Sequence, residues 1–193
     1  ALEAKLTDPL GTGSGTYGDA VSVSGERIAM VADPRYAGPE NPGGSVYIFH
    51  RNQGTWTLET RIIAGSLPGL GSFGSAIDLS GDSFVVQGYG EPPVAYVFRN
   101  RRGLWEHEGT INGTEPRNWM WAWSVSFIND GLIAIGAGGG ADGSLLAYLG
   151  QRNADGTWGP AGVVRNRTPY PHGSWLTTIA GDDATLLVSI GGG

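Results

Sequence analysis

Apolar residues alternate with small or polar ones in short runs along this chain, and the same runs return about every 50 residues. Tyr17-Gly-Asp-Ala-Val-Ser-Val-Ser-Gly25 comes back as Phe73-Gly-Ser-Ala-Ile-Asp-Leu-Ser-Gly81. Gly44-Ser-Val-Tyr-Ile-Phe-His50 comes back as Val94-Ala-Tyr-Val-Phe-Arg99, and more loosely as Leu145-Leu-Ala-Tyr-Leu149. Gly54-Thr-Trp56, Gly103-Leu-Trp105 and Gly156-Thr-Trp158 mark one point in three successive units. Period-two alternation bounded by Gly and Pro predicts strands, and a small sheet repeated at this spacing cannot bury both faces alone. The units therefore stack as blades.

Each unit reads as four strands. Strand a is of the Tyr17–Ser24 type, and strand b covers Arg27–Ala32, Ser83–Gln87, Gly131–Gly136 and Ala184–Ser189. Strand c is of the Val46–His50 type, and strand d follows the Gly-x-Trp turn, as in Trp56–Ile63. Leu2-Glu-Ala-Lys-Leu6 resembles Leu58-Glu-Thr-Arg-Ile62, so the chain opens on a lone strand d. Blades are expected at about 17–63, 73–111 and 121–164, with a partial blade at 173–190, which makes about 3.75 blades in 1–193. An open array exposes strand edges, so the ring is expected to be completed by another chain, as a homo-oligomer, or by further sequence.

An antiparallel meander sorts the connections by end. The a–b turns are minimal, such as Ser24-Gly25-Glu26 and Ser80-Gly81-Asp82. The b–c and d–a loops at the other end are long and hold ten of the eleven prolines, all but Pro160. Proline pre-orders a loop by fixing φ, so that end is expected to be a rigid, varied surface suited to binding.

Composition narrows the chemistry. The net charge of −6 opposes a nucleic-acid partner, whose phosphates demand a basic face. No run of 18 apolar residues predicts a membrane span. With no Cys there is no disulfide framework and no thiolate ligand. Abundant Gly and Trp suit tight turns and aromatic-filled sheets.

The run Phe73–Val86, with Gly44–Phe49 and Gly54-Thr-Trp56, resembles the FG-GAP repeat of integrin α subunits, bacterial surface proteins and several lectins. The resemblance spans essentially the whole chain and implies an all-β β-propeller, secreted or extracellular. Integrin-type propellers often hold calcium in an Asp-rich a–b loop. Here those loops have shrunk to tight turns carrying Glu26, Asp82, Asp130 or Asp182 and Asp183, which read as turn formers, so no metal and no cofactor is expected.

Catalytic patterns are weak. His50, His107 and His172 fall at different repeat positions, and no nucleophile elbow or phosphate loop appears. Carboxylate pairs for glycoside hydrolysis would meet only in space, yet no carboxylate stands apart from the turn pattern. The expectation is a non-enzymatic protein.

Aromatics carry the binding hypothesis. Trp56, Trp105 and Trp158 share a repeat position and read as blade packing, while Trp119 lies outside the pattern in a d–a loop beside Asn118, Arg117 and Glu115. Trp119 serves equally as a sugar-stacking platform or as a lid over the next blade. Tyr36 with Asp33, Tyr89 with Glu91, and Tyr170 with His172 are weaker equivalents at the same end, with packing of the Pro-rich loops as their alternative. Two sequons, at Asn112 and Asn166, lie in d–a loops, and glycans there would crowd that face. The expected function is a carbohydrate-binding protein, a lectin with glycan or glycoprotein partners. The alternative is a protein-binding adhesion propeller or a structural segment of a larger surface protein.

Overall fold

A computed structural model describes residues 4–9, 17–32, 42–67, 69–89, 93–114, 122–137, 146–165, 175–182 and 185–191. Every strand in it belongs to an antiparallel meander. Blade 1 holds β1 (Tyr17–Ser24), β2 (Arg27–Ala32), β3 (Ser45–Asn52) and β4 (Thr55–Ile63), paired in chain order. Blade 2 holds β5 (Ser72–Ser80), β6 (Ser83–Tyr89), β7 (Val94–Arg101) and β8 (Leu104–Asn112). Blade 3 holds β9 (Ala122–Asn129), β10 (Leu132–Ala137), β11 (Leu146–Arg152) and β12 (Trp158–Arg165). β13 (Trp175–Asp182) and β14 (Thr185–Gly191) form a two-stranded sheet beside blade 3.

The first strands β1, β5, β9 and β13 touch one another in succession. They are the inner edge of an arc of stacked sheets, and the Gly-x-Trp strands β4, β8 and β12 lie on its outside. The third strands β3 and β7 are covered on both sides. That is why Ser45–Phe49 and Val94–Phe98 are buried residue after residue, with no polar alternate. One core fills the space between blades 1 and 2, built from Val31, Ile48, Phe73, Phe84 and Phe98. A second, with Val85, Ile111, Ile133 and Trp158, fills the space between blades 2 and 3.

Turn chemistry follows the residues. Gln53 with Gly54 and Arg102 with Gly103 have positive φ in pairs (49° and 80°, 57° and 90°), the two-residue hairpin that matches strand twist. Gly74 in the Phe-Gly pair is needed for space, since a Cβ there would lie 2.6 Å from Oε1 of buried Gln87.

Candidate functional site

Three sets of polar contacts stand out in this arc. The first is a chain of side chains along the inner strands. Ser22 on β1, Asp78 on β5 and Ser126 on β9 hold the same position in successive repeats. Ser22 Oγ donates to Asp78 Oδ1 at 3.0 Å and accepts the Leu79 amide at 3.0 Å. Asp78 Oδ2 accepts the Phe127 amide at 2.8 Å and Ser126 Oγ at 3.2 Å. One carboxylate thus ties three blades together where first strands have no ladder partner on their inner side. Its oxygens are occupied, so its role is positioning.

The second group sits farther out. Each outer strand carries a β-bulge whose extra residue is Glu59, Glu108 or Ala161. The bulge re-aims the two glutamates at the next blade. Glu59 Oε1 accepts the Trp105 indole N–H and the Asn100 side-chain amide, both at 2.9 Å, while Oε2 takes Arg27 Nε at 2.9 Å. Glu108, its side chain only 6% exposed, takes the Trp158 indole N–H at 3.0 Å and Arg152 at 2.7 Å. Burial works against the charge on Arg27, but Glu59 and Asp82 outweigh it and its pKa is raised. Trp105 and Trp158 therefore pack between blades and also latch them.

The third group is the base of the loop-rich end. Gly65 donates its amide to the Pro42 carbonyl at 2.9 Å, and Gly113 donates to the Pro93 carbonyl at 2.7 Å. Phe73 reaches the Gly43 carbonyl at 2.7 Å, and the Gly71 amide reaches the Tyr96 hydroxyl at 2.9 Å. In two successive blades the start of the d–a loop is thus pinned to the end of the b–c loop, so the segments above have a fixed mount.

At the opposite end, Ser80, Asp82, Ser83, Arg99 and Asp130 line an open cleft of about 220 Å³ between blades 2 and 3. Asp82 is ion-paired with Arg27 at 2.8 Å. Its carboxylates come from tight turns. Among the described residues no group of His, Cys, Asp or Glu has the arrangement of a metal site.

Of the proposed carbohydrate-binding residues, Tyr89 alone is described. It closes β6 opposite Ser72, half-buried at the loop-rich end. Asp33, Tyr36, Glu91, Glu115, Arg117, Asn118, Trp119, Tyr170 and His172 lie outside the described residues. Sequence reading missed Asp78, Glu59 and Glu108. The repeated Trp-x-x-Glu of Trp56–Glu59 and Trp105–Glu108 was the available signal.

Stacked four-stranded antiparallel sheets around an inner edge define a β-propeller segment. No protein-family model matches the sequence, and no curated protein does. Among solved structures, the chain is similar to a GH93 α-L-arabinofuranosidase of Fusarium graminearum with arabinobiose, at TM-score 0.54 and 10% identity. That match covers 86% of this chain and 52% of the other. An α-L-arabinofuranosidase of the same fungus with an iminosugar inhibitor matches at TM-score 0.54 and 12% identity, covering 89% and 54%. An α-L-arabinanase of Penicillium chrysogenum with arabinobiose matches at TM-score 0.50 and 12% identity, covering 79% and 49%. The chain spans about half the length of these structures.

All three neighbours are enzymes, and that finding runs against the expectation of a non-enzymatic lectin. In a ring of blades reacting groups come from different repeats and meet only in space, so a repeat pattern cannot show whether a catalytic pair forms. No helix among the described residues is long and apolar enough to cross a membrane.

Proposed function

We propose that the chain is part of a glycoside-hydrolase β-propeller that cleaves α-L-arabinosidic bonds at its loop-rich end. The observation that carries this reading is the shared architecture with three arabinose-processing enzymes, over 79% to 89% of the chain. The pinned bases of the b–c and d–a loops support it, since catalytic groups need a rigid mount to keep their geometry. Glycoside hydrolysis needs one carboxylic acid to protonate the leaving oxygen and one carboxylate to act as nucleophile or base. In the sequence, Asp33, Glu91 and Glu115 fall in the b–c and d–a segments, and they are the carboxyl groups this reading assigns to the reaction. Trp119 and Tyr36 supply faces for the apolar side of a sugar.

Incubation with arabinan, followed by chromatography of the released sugars, tests the proposal. Arabinose or arabinobiose should appear. Two of the variants Asp33→Asn, Glu91→Gln and Glu115→Gln should lose about a hundredfold or more of the rate, the usual scale for a general acid or base. No release from arabinan or from synthetic α-L-arabinofuranosides would overturn it.

A further inference from the structure

The two seams between blades differ at the tight-turn end. Arg27 opens β2 opposite Ser24, and its side chain crosses to blade 2. There Nη1 donates to Asp82 Oδ1 at 2.8 Å, while Nε donates to Glu59 Oε2 at 2.9 Å. The guanidinium lies 5.8 Å from the centre of the Trp105 ring. Beside it Ser24 Oγ accepts the Gly81 amide at 3.0 Å. These contacts close the first seam down to its turns.

One blade later the same positions carry other groups. Ser83 opens β6 opposite Ser80, as Arg27 opens β2 opposite Ser24, so a short hydroxyl stands where a guanidinium crossed. The Gly131 amide turns back to Asn129 Oδ1 at 2.9 Å, and Glu108 is met by Arg152 from blade 3 at 2.7 Å. The cleft of about 220 Å³ between blades 2 and 3 lies where the repeat puts the Arg27 side chain. Its opening follows from the shortening of that one residue.

The lining decides what the cleft takes. Ser80 and Ser83 bring hydroxyls, Asp82 and Asp130 carboxylates, and Arg99 a guanidinium. Arg99 Nη1 stands 3.9 Å from Glu108 Oε1, an oxygen that Arg152 and Arg101 already take at 2.7 and 3.0 Å. Arg99 therefore keeps N–H donors for another group. An anion here would face Asp82 and Asp130, and a cation would face Arg99 with Arg101 and Arg152 behind it. A neutral molecule with adjacent hydroxyls suits both signs, because a hydroxyl donates to a carboxylate and accepts from a guanidinium.

We propose that this cleft is a second carbohydrate site, which holds a neutral sugar unit of a polysaccharide at the end opposite the loops. Its hydroxyl chemistry stands on the lining alone, whereas the choice of arabinose units as that sugar rests on the activity proposed above. A chain held there stays near the protein between cleavage events, which raises its effective concentration at the loop-rich end.

Titration of the isotope-labelled protein with arabinobiose, read by amide chemical shifts, tests this. The amides of Ser80, Gly81, Asp82, Ser83, Asp130 and Gly131 should shift together and saturate. Ser83→Gln, which lays a longer neutral side chain into the cleft, should abolish those shifts. Asp130→Ala should weaken binding about tenfold, the scale of one hydrogen bond to a charged group. Circular dichroism should match the wild type in both variants. Shifts at Gly71, Tyr89 and Gly113 report sugar at the loop-rich end, so the same titration separates this inference from the proposed activity. Shifts at those three alone overturn the cleft as a sugar site without touching the activity. Shifts at the cleft that survive Ser83→Gln, or that arginine hydrochloride or sodium acetate produces equally, overturn it as well.

Discussion

Glu108 shows how much one side chain can do between two blades. It is nearly sealed from water, accepts the Trp158 indole and is ringed by Arg152, Arg101 and Arg99. Removing a buried acceptor leaves its donors without partners, which costs more than the bond itself contributed. Glu108→Ala should therefore lower unfolding free energy by about 2–4 kcal/mol in urea. A loss within the error of the measurement would show that the latch is ornamental. Asp78→Ala leaves the Phe127 amide and the Ser22 hydroxyl without their acceptor, and should cost about 2 kcal/mol by the same measurement. Neither carboxylate was found from the sequence. Glu59 meets Trp105 across a repeat boundary, so reading within one unit cannot pair them. The bulge that aims Glu59 is invisible in an alternation pattern.

At the scale of the strand, the alternation was legible and its limits were set by glycine. The first strand is found where the pattern put it, at Tyr17–Ser24. Strand b of blade 2 was expected to end at Gln87 but runs to Tyr89. Gly88 is no terminator. It pairs with Phe73 and Val94, and a Cβ on it would lie 2.5 Å from the Tyr96 ring. Glycine in this sheet serves close approach as well as turning. The same logic gives a test at Gly74, where an added Cβ meets Gln87 at 2.6 Å. Gly74→Ala should lower the melting temperature by several degrees, whereas Gly162→Ala, with nothing near its Cβ, should change it little. Equal effects at both sites would remove the packing reason for the Phe-Gly pair.

At the scale of the molecule, the repeat carried the fold and said little about the function. Stacked blades follow from runs that recur in the chain, so the architecture could be read from Tyr17–Gly25 and Phe73–Gly81 side by side. Function in a propeller depends on groups brought together from several loops, and no repeat pattern contains the distances between them. The measurement that bears most directly on the whole account is product analysis of arabinan incubated with this protein, with the loop-carboxylate variants alongside. The wild type should release arabinose or arabinobiose, and two of those variants should lose that release with the fold retained. Intact polysaccharide after long incubation, with a correctly folded protein, would contradict it.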